Sequence, residues 1–177
     1  VHGDERGLKL PPRVAPYQAV IVPIWRKDEE RAAVEEYVER VLGELQPTVR
    51  VHVDRRDDKT PGWKFNEWEL RGVPVRLEVG PRDVQNQQVM TARRDTRAKA
   101  PLSFAELRDA LVAMLDDIQA GMFAAATEHL RANTVDVSTL GELYERAAAN
   151  AGFSAAGWCG DAACDTTIKA ESKATIR

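Results

Sequence analysis

The run from Tyr17 to Ile24 is apolar and rich in Val and Ile, with Pro23 near its end. It has strand length and no polar alternation, so it predicts a strand buried on both faces. Asp28 then opens a helix with acids in its first turn, where the helix dipole favours them. Ala33, Val34, Tyr37, Val38, Val41, Leu42 and Leu45 recur at spacings of three and four, one face of that helix, and Pro47 follows its end. Val49, Val51 and Val53 alternate as a second strand. This order is β-α-β, for which a right-handed, parallel connection is the rule.

The pattern continues. Thr60-Pro61 predicts a helix start, a hydroxyl cap followed by proline at the first helical position, for a helix from Pro61 to Leu70. Val73 to Val79 is a third strand, broken at Gly80-Pro81, and Gln87 to Ala92 a fourth, antiparallel to its neighbour. Ser103 and Glu106 have capping-box spacing and predict the start of a long helix to about Leu130. Ser138 to Asn150 predicts another helix. Residues 1–16, punctuated by Gly3, Gly7, Pro11, Pro12 and Pro16, predict an extended connector. The chain's 177 residues, 44% of them hydrophobic, suffice for one domain and a small appendage without disulfides. With no long apolar run, no membrane span is expected. The charged first residues are unlike a secretory signal, and two cysteines make no disulfide framework, so the expected setting is cytoplasmic. The absence of an initial Met suggests a fragment.

Charge is uneven. Residues 50–99 hold 12 basic and 8 acidic residues, a net of +4, whereas the rest holds 13 basic and 20 acidic, a net of -7. A basic middle in an acidic chain fits a polyanion partner, or simply a mixed, solvated surface. No Gly-rich phosphate loop or Gly-x-Ser-x-Gly elbow is present. The three histidines are scattered, and His52 is expected to face outward from its strand. Cys159 and Cys164, with four residues between them, are either reduced thiols or half of a zinc site that needs two more ligands.

The densest segment is Thr60 to Asp83. Phe65 and Glu69 share a helix face; Lys64 and Trp68 share the next. Arg76 and Glu78 share a strand face. An aromatic ring, a carboxylate and a guanidinium meeting at a helix–strand edge suit an unstacked base: the ring stacks, the acid accepts from amino groups, and Arg donates to base acceptors or phosphate. The alternative is structural, with Trp63 and Trp68 in the core and Glu69 and Arg76 as a surface pair.

This run, together with Gly3-Asp-Glu-Arg-Gly-Leu-Lys-Leu-Pro-Pro-Arg-Val-Ala-Pro16 and the Val20 to Pro23 strand, resembles the prolyl-tRNA synthetase family of the archaeal and eukaryotic-like class II type. Trp158-Cys-Gly-Asp-Ala-Ala-Cys164 and Ala174-Thr-Ile-Arg177 resemble that family's C-terminal zinc-binding domain. The resemblance implies α/β architecture, a mixed five-stranded sheet flanked by helices, plus a small α+β C-terminal domain. Residues 1–12 would end the catalytic domain, 13–115 form the anticodon-binding domain, and 116–177 a truncated C-terminal domain. The family is a cytoplasmic, homodimeric ligase of protein biosynthesis that joins proline to tRNA(Pro) with ATP and magnesium. Phe65, Glu69, Arg76, Arg82, Arg94 and Lys99 would meet the anticodon stem-loop, whose guanines at the second and third positions match Glu69 as acceptor and Arg76 as donor. The ATP and proline motifs and the second cysteine pair would lie outside the chain. Alone it is expected neither to activate proline nor to hold zinc firmly. A protein-interaction module of the same fold is the competing expectation.

Overall fold

The apolar run becomes the middle of a sheet. In the computed structural model, β3 (Ala19–Pro23) is buried at all five residues. Residues 2–175 are described; Val1, Ile176 and Arg177 lie outside them, and with them the last two residues of the Ala174–Arg177 similarity. Before β3 come β1 (Gly3–Asp4) and β2 (Gly7–Leu8); after it come α1 (Asp28–Leu45), β4 (Val51–Val53), α2 (Pro61–Leu70), β5 (Val75–Val79), α3 (Pro81–Gln85), β6 (Gln88–Arg93), β7 (Lys99–Ser103) and α4 (Leu107–Ala132). The five-stranded sheet has the order β4-β3-β5-β6-β7. β3 runs parallel to β4 and β5, and the β5–β6 and β6–β7 pairs are antiparallel. The mixed sheet flanked by helices is as expected.

Each face of β3 and β5 packs differently. Ala19, Ile21, Val75, Leu77 and Val79 join Val34, Tyr37, Val38, Val41 and Leu45 of α1 and Leu107, Leu111, Leu115 and Ile118 of α4 in the main core. Val20 and Val22 face the other way, onto Trp68 and Val73, with Phe65 packed against them. The register carries the consequence. Val20 pairs with Arg76, Arg76 with Ala92, and Ala92 with Lys99, so these four residues form one row across four strands.

Several local expectations change. Residues 1–16 are not simply an extended connector, because β1 and β2 form an antiparallel hairpin. Gly7 and Gly72 permit its approach to α2, both having positive φ (119° and 74°). A Cβ on Gly7 would lie 2.6 Å from the Leu70 Cα, and one on Gly72 2.7 Å from the Leu8 carbonyl carbon. The break at Gly80-Pro81 continues as the short helix α3, whose Asp83 Oδ2 accepts from Gly80 N at 2.9 Å. The Ser103–Glu106 capping box is not formed: Ser103 is the last residue of β7 and makes no side-chain cap bond. A 3-10 turn, Phe104–Glu106, intervenes before α4. His52 does not face open solvent, since its ring stacks on Tyr17 (4.9 Å between centroids) and tilts against Trp68 (5.1 Å).

The span from Phe104 to Ala132 is long and apolar enough by length and composition to cross a membrane, so sequence hydropathy does not exclude such a helix. Its buried stripe of Leu107, Leu111, Leu115 and Ile118 and the Asp116-Asp117 pair in its middle make it a core helix that is apolar on one side. The chain divides into two compact units, Val1–Phe123 and Ala124–Arg177. The division falls inside α4, past the core contacts of Ile118 and Met122. Residues 2–12 fall in the same unit as the five-stranded sheet. In the second unit, β8 (Thr134–Asp136) pairs in parallel with β9 (Phe153–Ala155), accompanied by α5 (Leu140–Ala148) and α6 (Ala162–Ser172). Arg146 ties α5 to β9, donating to Ser154 Oγ at 3.1 Å and to the Ala151 carbonyl at 2.6 Å.

Candidate nucleic-acid interface

The site begins with the placement of α2. Thr60 caps it, its hydroxyl oxygen accepting from Trp63 N at 3.3 Å, with Pro61 at the first helical position. One face of the helix is locked by Asp54, which is buried. Trp68 Nε1 donates to Asp54 Oδ2 at 2.8 Å, Lys64 Nζ donates to the Asp54 carbonyl at 3.1 Å, and Arg56 Nε donates to Oδ1 at 2.8 Å. Burial alone would raise the pKa of Asp54; the bonds from Arg56 and Trp68 and the Lys64 charge outweigh it and hold the group at about 2. Desolvation pulls Lys64 down from its ordinary value, partly offset by Asp54. With Lys64 and Trp68 turned inward, the neighbouring face presents Phe65 and Glu69 to the sheet.

There they meet the row defined by register. The Arg76 guanidinium lies 4.1 Å from the Phe65 ring centroid, and Lys99 Nζ 5.6 Å from it. Glu78 joins both cations: Arg76 Nη2 donates to its Oε1 at 2.8 Å, and Lys99 Nζ does so at 2.9 Å. Glu69 pairs with Arg6 Nη1 at 3.3 Å. Beside these groups is a recess of about 140 Å³ lined by Arg6, Glu69, Arg76, Arg94, Arg97 and Lys99, with the apolar Trp68, Val73 and Ala92.

Phe65, Glu69, Arg76 and Lys99 are thus brought together. Arg94 lies at the same recess but is buried and engaged: it donates to both Asp4 oxygens (2.6 and 3.0 Å), to the Gly7 carbonyl (3.1 Å) and to the Glu69 carbonyl (3.0 Å). Its bonds hold the hairpin against α2. The bonds from Arg94 hold the Asp4 carboxyl well below the usual carboxylate range. Arg82 is exposed on α3, beyond the end of β5, and does not line the recess. The structural alternative divides: Trp68 is core, whereas Trp63 is 44% exposed beneath Arg56 and Lys59. Glu69 and Arg76 do not pair with each other. Arg6, Arg93 and Arg97 are the charged recess residues missing from the sequence-based set, as is Glu78, which joins Arg76 and Lys99 beside the recess. Glu78 was signalled by its two-residue spacing from Arg76; Arg6 lies 63 positions from its partner and had no local signal.

Cys159 and Cys164 are both exposed. The Asp161 backbone N–H, and after it the neighbouring Cys164 thiol, pull the Cys159 thiol below its ordinary value. The two thiols suit two positions of a four-ligand zinc site. Among the described residues, no group of three or more His, Cys, Asp or Glu side chains gathers where it could hold a metal.

A partly open ring, paired carboxylates and a cluster of guanidinium groups on one face of the sheet can stack a base, accept from its amino groups and take its phosphate. The fold agrees with that chemistry: residues 18–114, more than half of the chain, match the family model described as "Anticodon binding domain". The chain belongs to this anticodon-binding domain family. Over its full length it is similar to curated proteins named proline–tRNA ligase: 46% identical over 177 residues to that of Natranaerobius thermophilus, covering 100% of this chain and 36% of the relative. It is 48% identical to that of Chloroflexus aggregans, covering 99% of this chain and 37% of the relative. It is 47% identical to proline–tRNA ligase 2 of Clostridioides difficile, covering 99% and 36%. The chain spans little more than a third of the length of these relatives.

Proposed function

We propose that this chain is the anticodon-reading part of a proline–tRNA ligase and binds the anticodon loop of tRNA(Pro). The observation that carries the reading is the gathering of Phe65, Glu69, Arg76 and Lys99 on one face of the sheet. Glu69 accepts from the N1 and N2 donors of guanine; Arg76, leaving Glu78 to Lys99, donates to O6 and N7. Phe65 stacks the base, and Lys99 neutralises backbone phosphate. Arg94 serves as a positioning residue, through Asp4 and the Glu69 carbonyl, and Arg82 meets the RNA farther along the loop. The intact ligase would use ATP and magnesium outside this chain, act as a homodimer and work in the cytoplasm. Cys159 and Cys164 would supply two of four zinc ligands, the other two coming from elsewhere in the intact protein.

The test is binding to an anticodon stem-loop with guanine at the second and third positions, against the same loop with adenine at both. The chain should prefer the guanine loop. Glu69→Ala and Arg76→Ala should each reduce that preference by about 1–3 kcal/mol, the worth of a good base contact. Equal, salt-sensitive binding to both loops reduces the site to a basic surface, and no binding at low salt overturns the reading.

A further inference from the structure

The cations around the recess are not equally engaged. Arg76 and Lys99 share Glu78. Arg93 is held by Asp95 and Asp117. Arg97 reaches Glu5 and Asp4. Arg94 makes four bonds and is buried. The Arg6 guanidinium differs. Its side chain is 52% exposed, and among the described residues its one partner is Glu69 at 3.3 Å.

Yet Arg6 is held firmly by its backbone. It sits in the turn of the β1–β2 hairpin, where its N–H donates to Asp4 Oδ1 at 3.0 Å. That same carboxylate is the acceptor for Arg94, which also grips the Gly7 carbonyl on the far side of the turn. Gly7 lies against the Leu70 backbone and Gly72 against Leu8, fixing the hairpin to the end of α2. A rigid turn therefore carries a loosely paired guanidinium at the mouth of the recess.

We propose that Arg6 is a further RNA contact: it pairs with Glu69 in the free protein and passes to a loop phosphate when a guanine edge takes the Glu69 carboxylate. The inference rests on the anticodon reading above. The exchange conserves charge pairing. Guanine N–H donors replace the guanidinium at Glu69, and the guanidinium takes a phosphate, which its planar fork matches in a bidentate fashion. An exposed ion pair is weak by nature, so little opposes the exchange. Arg94 is too enclosed to play this part, and Arg76 is taken up by the base edge in the anticodon reading.

The experiment is the salt dependence of binding by the full chain, with Arg6→Ala and Arg6→Lys, on both the guanine and the adenine stem-loops. The transfer is coupled to guanine at Glu69. Arg6→Ala should therefore weaken the guanine loop and reduce its slope of log K against log salt by about 0.7, the share of one phosphate on a single strand, while the adenine loop, which leaves Arg6 on Glu69, changes little. Arg6→Lys should recover most of that slope. Melting curves of both variants should overlay that of the unsubstituted chain, because the side chain is half exposed. An unchanged slope in Arg6→Ala overturns the proposal, as does tighter guanine-loop binding, which would make Arg6 a mask over Glu69 and nothing more. Loss of guanine preference in the unsubstituted chain counts against the anticodon reading while the slope still reports on Arg6. No binding to either loop overturns both.

Discussion

Asp54 does more for the site than any residue in it, though it touches none of the RNA-facing groups. Its carboxylate and carbonyl fix Trp68, Lys64 and Arg56, and so fix the rotation of α2. Its pKa, held at about 2 against an ordinary 3.8, ties stability to pH. The folded pKa lies below the unfolded one. The stabilisation is thus fully present above pH 3.8 and declines as pH falls through about 2. Asp54→Asn should lower the unfolding free energy by about 2 kcal/mol at pH 7 in denaturant titrations. The gap between variant and parent should close as pH is lowered through 2–4. A gap that persists at pH 2 would show that the loss is one of shape rather than charge.

At the scale of elements, the hairpin and α2 depend on two glycines. Gly72 combines a φ of 74° with a Leu8 backbone that leaves no space for a Cβ. Gly72→Ala should cost about 1–3 kcal/mol, read from thermal melting. It should also weaken RNA binding, by moving the hairpin that carries Arg6 and Asp4. Gly43, with open space around its ideal Cβ and a place in the last turn of α1, is the control. Gly43→Ala should raise stability by about 0.5–1 kcal/mol, the ordinary helix preference for Ala. The local patterns that were readable belong to this scale. Thr60-Pro61 capped α2 because a hydroxyl and a pre-set φ act within three residues. Ser103-Glu106 failed as a cap for α4 because Ser103 still belongs to β7, opposite Gln88 15 positions back, and a 3-10 turn separates it from the helix.

At the scale of the whole molecule, both core clusters lie within residues 19–122, inside the unit Val1–Phe123. A chain ending after Phe123 should fold cooperatively and keep the guanine preference of the full chain, measured on the same two stem-loops. Loss of that preference would assign RNA contacts to the second unit. The two units also place the chemistry: the recess is built wholly from the first, and both cysteines sit in the second. Removal of both thiols by Cys159→Ser and Cys164→Ser should leave loop binding unchanged.

What the amino-acid sequence determined alone was everything with a short period. The buried strand, the amphipathic α1, the parallel β-α-β unit and the sharing of one helix face by Phe65 and Glu69 all follow from spacings of two, three or four residues. So does the sharing of a strand face by Arg76 and Glu78. The resemblance of long ordered runs added the family and the candidate positions. Tertiary structure decided which of these candidates meet. Lys99 reaches Glu78 because the β5–β6–β7 register sets it in the row with Arg76. Arg94 is drawn inward by Asp4, 90 positions away. Arg6 faces Glu69 because two glycines let one backbone lie on another. Such contacts depend on chain segments that pack only after the sheet has formed, so no local periodicity records them.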